Sequence, residues 1–213
     1  MLELGLKMLV AYLLGSLNGS LVLGKVLGGP DVRTVGSGNA GGTNALRARG
    51  RWFALGVMII DVGKGWLAAV LVPAFAAGAE VPALGGQWLA VACAGAAVVG
   101  HCYPVWFGFG GGKGAATAIG ALAGIAPGLL VPGLGAWLVV AVLTGFVGLS
   151  TMIAFGLLPI VVLAAGAVAR PELLTFLVLL AAFIVFTHRG NVARMMRHEE
   201  NRMTGLMLFR RAR

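Results

Sequence analysis

The stretch GHCYPVWFGFGGGKGAAT, residues 100–117, lies between two apolar segments of an otherwise hydrophobic chain. It brings together His101, Lys113 and a series of glycines, and glycine disfavours the interior of a regular helix or strand. At membrane depth, irregular backbone is tolerated only where protein buries it or where it lines a water-filled cavity. We therefore interpret this loop as a candidate binding site held by the apolar segments around it.

Composition indicates an integral membrane protein. The 213 residues are 59% hydrophobic and 11% charged, with a mean hydropathy of +0.96, which is too apolar for a soluble domain of this length. Cys93 and Cys102 have neither the spacing nor the partners of a metal site or a disulfide framework. The net charge of +9 resides in loops and the tail, which favours anionic lipid headgroups over nucleic acid as partners. No distinct cleavage site follows the first apolar run, so we expect no removable signal peptide.

The apolar runs predict an all-α polytopic membrane protein with about seven transmembrane helices. A crossing needs about 17–25 mainly apolar residues. Candidate spans cover residues 4–27, 53–77, 86–100, 115–127, 133–147, 150–168 and 172–188. The fourth and fifth are short or rich in Gly and Pro, and a re-entrant hairpin there would lower the count without changing the side of the C-terminus. We expect one membrane domain over residues 1–213, with residues 189–213 forming a basic interfacial tail.

Positive charge predicts the orientation of these spans. The loops around Glu80, residues 127–132 and Arg170 carry almost no basic residues. The first loop, the third loop and the tail carry Arg33, Arg47, Arg49, Arg51, Lys113, Arg189, Arg194, Arg197, Arg202, Arg210, Arg211 and Arg213. Because cytoplasmic loops are enriched in Lys and Arg, we expect an external N-terminus, a cytoplasmic C-terminus and all polar clusters on the cytoplasmic face.

The first polar cluster, residues 35–51, has the composition of an anion-binding turn. Its glycines leave backbone N–H groups accessible, and a helix beginning near Thr43 would direct its positive end at the same anion. Its short polar side chains are Ser37, Asn39, Thr43 and Asn44, and Arg47 follows within reach. The Gly36-x-Gly38-x-x-Gly41 spacing also fits a dinucleotide fingerprint, but the strand and the soluble βαβ unit which that motif requires are missing. A tight inter-helix turn without a ligand remains the alternative.

The second cluster is the loop quoted above. Its Gly111-Gly112-Lys113-Gly114 resembles a Walker A motif, yet Phe107 replaces the first glycine and Gly114 replaces the Ser or Thr that would hold magnesium. An ammonium among glycines still suits phosphate. Lys113 could alternatively serve only to set the topology. His101 could take part in chemistry or simply stabilise the loop.

The third cluster, residues 187–202, follows the last apolar span. His188 and Asn191 would share one helical face at the membrane end, before a run of alternating basic and apolar residues that fits an interfacial helix. Within the second span, Asp61 and Lys64 are costly in lipid. We expect them to face the interior and to pair across one turn, as a structural ion pair.

Together, three ordered motifs resemble the bacterial acyl-phosphate:glycerol-3-phosphate acyltransferases, the PlsY family. Residues 36–44, GSGNAGGTN, are similar to the family's GSGNxGxTN; residues 100–117 to its GHxxPxF…GGKGxAT; and residues 188–192, HRGNV, to its HRxNI. The match spans nearly the whole chain. It implies the seven-helix fold in the inner (cytoplasmic) membrane of a bacterium. It also implies transfer of an acyl group from acyl phosphate to the 1-hydroxyl of glycerol 3-phosphate, giving lysophosphatidic acid and inorganic phosphate.

The resemblance also implies site residues. Ser37, Arg47 and Lys113 would hold substrate phosphate, Asn39, Thr43 and Asn44 would shape their loop, and His188 and Asn191 would complete the polar pocket. Ser37, Lys113, His101 and His188 are the candidate catalytic residues. Secondary contacts, including those to acyl phosphate, are expected from Gly111, Gly112, Gly114, Thr117, Ser150 and Glu200. No metal or organic cofactor is implied, and the partners are the two substrates and membrane lipids.

The chain departs from the family at two places. His198-Glu199-Glu200 stands where the family usually shows GxE, and Gly148 stands where it often has a serine, with Ser150 and Thr151 nearby. The His-x4-Asp pair of acyl-CoA and acyl-carrier acyltransferases is absent from the sequence, which fits a donor that already carries a good leaving group.

Two other functional classes compete with the enzyme. A small transporter or channel for phosphorylated anions would also place cations at a cavity, but it should show polar groups near the midplane and repeated broken helices. A scaffolding membrane protein would require no phosphate at all. For the enzyme, the proton acceptor is open between a substrate phosphate oxygen, which we favour, and His101 or His188.

Overall fold

The computed structural model describes residues 2–75, 85–166 and 170–208. Within these ranges the chain forms helices, turns and loops and no β-strand, which confirms the all-α prediction. Several expectations fall outside the described residues. These are the loop around Glu80, the ends of the spans predicted over 53–77 and 150–168, and the tail residues Arg210, Arg211 and Arg213.

The described residues form α-helices joined by loops and short 3-10 turns. The helices are α1 (Leu2–Gly15), α2 (Gly19–Val26), α3 (Gly42–Ala74), α4 (Gly86–Cys102), α5 (Ala115–Ile125), α6 (Leu130–Thr144), α7 (Val147–Ala164), α8 (Pro171–Thr187) and α9 (Arg189–Met196). The 3-10 turns are Val32–Thr34, Val105–Phe107, Pro127–Leu129 and Thr204–Leu206.

Four segments of the described chain are individually long and apolar enough to cross a membrane, and two bent helix pairs raise the number to six. The four are Gly42–Ala74, Gln87–Phe107, Pro127–Thr144 and Val147–Ala164. The bent pairs are α1 with α2, at 53°, and α8 with α9, at 50°. Helix α5 is apolar but has only 11 residues, about 16 Å of helix at 1.5 Å per residue.

The chain divides into two compact units, Met1–Ala126 and Pro127–Arg213. In the first unit, α3 packs against α1, α2, α4 and α5, and α4 also packs against α1 and α5. In the second unit, α7 packs against α6 and α8, and α9 contacts both α7 and α8. Helix α3 is therefore the common neighbour of the first unit and α7 that of the second.

Two predicted spans differ from the observed helices. The first, expected as one helix over 4–27, breaks after Gly15 because Asn18 caps a new helix, its Oδ1 accepting a hydrogen bond from the Leu21 N–H. The second begins at Gly42 rather than at residue 53, with an interruption at Gly50, where φ is +82°. A polar residue thus breaks the first span, and a polar segment extends the helical structure of the second beyond what hydropathy alone marks.

Glycines let the helices of the first unit approach closely, as the composition suggested. A Cβ atom at Gly65 of α3 would collide with the Thr117 carbonyl of α5, and one at Gly120 of α5 would collide with the Val62 carbonyl of α3. Between α1 and α4, a Cβ at Gly100 would meet the Tyr12 carbonyl. Backbone contact at these crossings fixes the positions of α4 and α5. It thereby fixes the loop that joins the end of α4 to the start of α5.

Substituting a glycine at the α3–α5 crossing should destabilise the first unit. We expect Gly120→Ala to lower the free energy of unfolding by about 1–3 kcal/mol, because the added methyl overpacks a backbone contact. Gly63→Ala is the matched control in α3, since nothing lies within 4 Å of its would-be Cβ, and it should leave stability unchanged or higher. Thermal unfolding in detergent measures both. Equal effects of the two substitutions would contradict the close crossing.

Candidate functional site

The first glycine loop is organised by one buried asparagine. Asn44, in the first turn of α3, accepts a hydrogen bond from the Ser37 N–H at 3.0 Å through Oδ1 and donates through Nδ2 to the carbonyls of Val32 and Val35 at 2.7 and 2.9 Å. Gly36 has a φ of +61°, and a Cβ there would collide with Asn44 Oδ1. Asn44 thus fixes the loop that presents Ser37.

The polar groups of this loop remain available for a ligand. Ser37, Asn39 and Thr43 are half-buried, and Arg47 is exposed one turn into α3. Within the described chain, the Ser37 hydroxyl and the Arg47 guanidinium make no hydrogen bond. A hydroxyl and a guanidinium close to the start of a helix form a suitable environment for phosphate.

The second glycine loop folds back on the end of α4. The N–H of Gly111 donates to the Cys102 carbonyl and that of Gly112 to the His101 carbonyl, both at 3.1 Å. A Cβ at Gly111 would collide with the His101 carbonyl, so the backbone requires glycine there. Lys113 follows, half-buried, and Gly114, with a φ of +89°, precedes the first residue of α5. The lysine is thereby held by rigid backbone at a helix N-terminus.

Arg33 and Asn18 connect the two glycine loops. Arg33 Nη1 donates to the carbonyls of Phe107 and Gly110 at 2.8 and 3.0 Å. The buried Asn18 donates through Nδ2 to the Ala40 carbonyl at 3.0 Å and approaches the His101 carbonyl at 3.5 Å. The loops that carry Ser37 and Lys113, far apart in sequence, therefore lie side by side in the first unit.

Neither connecting residue was among the sequence candidates. Asn18 had a recognisable signal, since it is a polar residue inside an apolar run and directly precedes Gly19. Arg33 had none beyond its charge. Its guanidinium also pairs with Asp31 at 2.7 Å, and the hydrogen bonds from Arg33 lower the pKa of the Asp31 carboxyl. That pair holds the guanidinium in the orientation that reaches the second loop.

His101 lies in a buried ionic cluster with Asp61 and Lys64 of α3. Lys64 Nζ is 2.8 Å from Asp61 Oδ1, and His101 Nδ1 is 3.0 Å from Lys64 Nζ and 3.3 Å from Asp61 Oδ1. At most 4% of any of the three residues is exposed. The predicted pairing of Asp61 and Lys64 across one turn is confirmed, and His101 is a third member that sequence reasoning did not connect to them.

The cluster also fixes the break between α1 and α2. Asp61 Oδ1 accepts a hydrogen bond from the Gly19 N–H at 2.9 Å, and Lys64 Nζ donates to the Leu17 carbonyl at 3.1 Å. These bonds satisfy backbone groups that the helix break would otherwise leave unpaired. The same break presents Asn18 to the glycine loops.

The second unit holds the remaining candidates at the junction of α8 and α9. Asn191 donates to Glu200 Oε1 at 2.8 Å, and Arg194 Nε pairs with Glu200 Oε2 at 2.6 Å. His188 is buried, and its Nδ1 donates to the Ile184 carbonyl at 2.8 Å. Glu200 thus orients Asn191. Within His198-Glu199-Glu200, where the chain departs from the family pattern, Glu200 therefore has a structural role.

Gly148, Ser150 and Thr117 occupy packed positions. A Cβ at Gly148 would meet the Asn191 side chain, so a larger residue there would displace the amide. Ser150 is fully buried, and its hydroxyl donates to the Phe146 carbonyl at 2.9 Å. Thr117 is fully buried in α5, within the first unit. These three residues line packing contacts in the described structure, and any direct contact with substrate stays a prediction.

Sequence comparisons place the chain in a known family. The glycerol-3-phosphate acyltransferase family model matches residues 5–198. The glycerol-3-phosphate acyltransferase of Rhodospirillum rubrum is 40% identical over 205 residues, covering 95% of this chain and 92% of the relative. That of Azotobacter vinelandii is 40% identical over 185 residues, covering 86% and 91%.

Structure comparisons agree. A crystal structure of PlsY, an integral membrane glycerol 3-phosphate acyltransferase, in its glycerol 3-phosphate form matches with a TM-score of 0.82 and 33% identity over 94% of this chain and 95% of that one. The lysophosphatidic acid form matches with a TM-score of 0.80 and 31% identity over 93% and 94%. The fold and the apolar helices are those of a multi-pass membrane protein. The resemblance seen in the three motifs is confirmed: the chain belongs to the glycerol-3-phosphate acyltransferase (PlsY) family.

Proposed function

We propose that this protein transfers a fatty acyl group from acyl phosphate to the 1-hydroxyl of sn-glycerol 3-phosphate. The products are lysophosphatidic acid and inorganic phosphate, and the reaction is the first acylation of bacterial phospholipid synthesis. The carrying observation is that Asn18 and Arg33 hold the Ser37 and Lys113 loops against each other. Two phosphate-binding loops side by side suit a reaction in which both substrates bear phosphate.

In this mechanism the enzyme orients two anions. The mixed anhydride of acyl phosphate is already activated, so attack by the glycerol hydroxyl oxygen on the acyl carbon needs no covalent enzyme intermediate. The new C–O ester bond forms as the bond between the acyl carbon and the phosphate oxygen breaks, and the hydroxyl proton passes to a substrate phosphate oxygen. Arg47 and Lys113 offset the repulsion between the substrates, and the fixed loops lower the entropic cost of bringing them together.

Roles follow from position and chemistry. Ser37, Asn39 and Thr43 bind substrate phosphate together with Arg47 and Lys113, while Asn44 shapes the loop. Gly111, Gly112 and Gly114 permit close backbone approach to the second phosphate. For His188 and Asn191 we propose substrate binding, with Glu200 orienting Asn191. Ser150 and Thr117 act as supporting residues.

We further propose seven crossings in the inner membrane of a bacterium, with the N-terminus external and the C-terminus cytoplasmic. The four long spans, the two bent pairs and the short α5 together supply seven segments. The basic residues of the glycine loops then lie on the cytoplasmic face. Residues 189–213 form the basic tail of the single membrane domain, with α9 along the interface.

A donor comparison tests the function. Purified protein with glycerol 3-phosphate should yield lysophosphatidic acid from palmitoyl phosphate and none from palmitoyl-CoA or palmitoyl carrier protein. Ser37→Ala and Lys113→Ala should each reduce the rate with palmitoyl phosphate about 100-fold, as expected for loss of one preorganised donor. If folded protein forms no product with any donor, the proposed acyltransferase activity is contradicted. If product forms from palmitoyl-CoA, acyl phosphate as the specific donor is contradicted.

A second prediction concerns the bridge between the loops. Arg33→Lys should raise KM for glycerol 3-phosphate about tenfold and change kcat less, because an ammonium cannot reproduce the guanidinium's contacts to both loop carbonyls and Asp31. The matched control is Arg51→Lys, since the Arg51 guanidinium lies over the Trp52 ring, 5.2 Å from its centroid, and makes no hydrogen bond within the described chain. Steady-state kinetics measure both. An unchanged KM in Arg33→Lys would show that the Arg33 hydrogen bonds to the second glycine loop do not position the substrate-binding residues.

A further inference from the structure

The contacts of the buried Lys64 ammonium bear on which nitrogen of His101 carries hydrogen. A lysine ammonium has three N–H donors and no acceptor. Lys64 Nζ has three neighbours within hydrogen-bond distance: Asp61 Oδ1 at 2.8 Å, His101 Nδ1 at 3.0 Å and the Leu17 carbonyl at 3.1 Å. All three donors are used only if His101 Nδ1 accepts. A neutral imidazole whose Nδ1 accepts carries its hydrogen on Nε2.

The other ring nitrogen faces the second glycine loop. A Cβ at Gly112 would collide with His101 Nε2 and would lie 3.0 Å from the Ala40 carbonyl. Position 112 must therefore be glycine to leave space beside His101 Nε2. This position lies where the two loops meet, directly before Lys113. Among the described residues Nε2 has no hydrogen-bond partner, while Nδ1 is fully engaged. A ring N–H without a protein partner, next to a phosphate-binding lysine, is suited to a bound oxygen atom.

We propose that Lys64 is a positioning residue that holds His101 as the neutral Nε2–H tautomer, and that this N–H donates to a substrate phosphate oxygen at Gly112. The inference rests on the proposed function for the identity of the ligand, but not for the tautomer. It also makes His101 a hydrogen-bond donor rather than a general base, since its basic nitrogen is already bound to Lys64.

Nitrogen NMR of the full-length protein, with ¹⁵N-labelled histidine, reads the tautomer directly. Of the three histidines, His101 is assigned by the signal that disappears in His101→Gln. The expected wild-type signal is a neutral ring protonated on Nε2. An Nδ1–H ring or an imidazolium would overturn the proposal. The tautomer is read in wild-type protein and the assigning variant keeps both Asp61 and Lys64, so the result does not depend on a variant that tolerates loss of a buried charge.

Lys64→Met then tests the cause. Without the ammonium, Asp61 is the remaining charged neighbour of Nδ1 in the cluster, so the hydrogen should move to Nδ1 or the ring should become an imidazolium. Lys7→Met is the matched control: Lys7 is the other buried lysine in an apolar helix with an acid one turn away, paired with Glu3 at 2.7 Å. It should leave the His101 signal unchanged. A His101 signal that is the same in Lys64→Met and wild type would exclude positioning by Lys64.

Substrate titration separates this proposal from the proposed function. Glycerol 3-phosphate and palmitoyl phosphate are titrated separately. At least one of them should shift the Nε2 signal of His101, while calorimetry on the same samples reports binding. Binding of both substrates without a shift would overturn the donor role. No binding at all would overturn the proposed function while leaving the tautomer result intact.

Kinetics of two variants distinguish a donor from a base. Gln can accept from Lys64 and donate from its amide, so His101→Gln should keep activity within about tenfold, whereas His101→Met should lose about 100-fold, as for removal of one donor. Equal loss in both variants, each shown to be folded by its thermal transition, would favour a base and contradict the proposal.

Discussion

The buried ion pair of Asp61 and Lys64 is the constraint on which the first unit depends. Two charges in an apolar helix are tolerated only when they are paired, and removing one member of such a pair costs about 3–5 kcal/mol. Their partners here are the Leu17 carbonyl, the Gly19 N–H and the His101 ring. Each partner lies at the break between α1 and α2 or at the end of α4. The pair therefore fixes both the break between α1 and α2 and the end of α4.

Those two fixed points build the site. The helix break presents Asn18 to the Ala40 carbonyl of the first glycine loop, and the end of α4 supplies the carbonyls on which Gly111 and Gly112 fold back. Arg33 joins the loops from the other side. The glycines are needed because the backbones and the His101 ring leave no room for a Cβ atom. Rigid loops of this kind are suited to holding phosphate groups without reorganisation during a reaction.

Sequence alone predicted the local parts of this arrangement and missed the long-range ones. The all-helical fold, the polar loops and the Asp61–Lys64 pair follow from hydropathy, glycine content and helical spacing, all of which are short-range properties. The contacts of Asn18 and Arg33, 22 and 74 or more residues away along the chain, depend on tertiary packing that periodicity does not encode. Likewise, hydropathy marked the first span as continuous, because a single buried asparagine hardly changes the average over a window.

The central claim is that Ser37 and Lys113, on adjoining loops, hold the phosphate of glycerol 3-phosphate together. A double-mutant cycle on the dissociation constant of glycerol 3-phosphate, measured by calorimetry with Ser37→Ala, Lys113→Ala and the double variant, tests it most directly. Groups that hold the same phosphate should couple, so the effect of the double variant should differ from the sum of the single effects by more than about 0.5 kcal/mol. Additive effects would place the two residues at independent sites and contradict the claim.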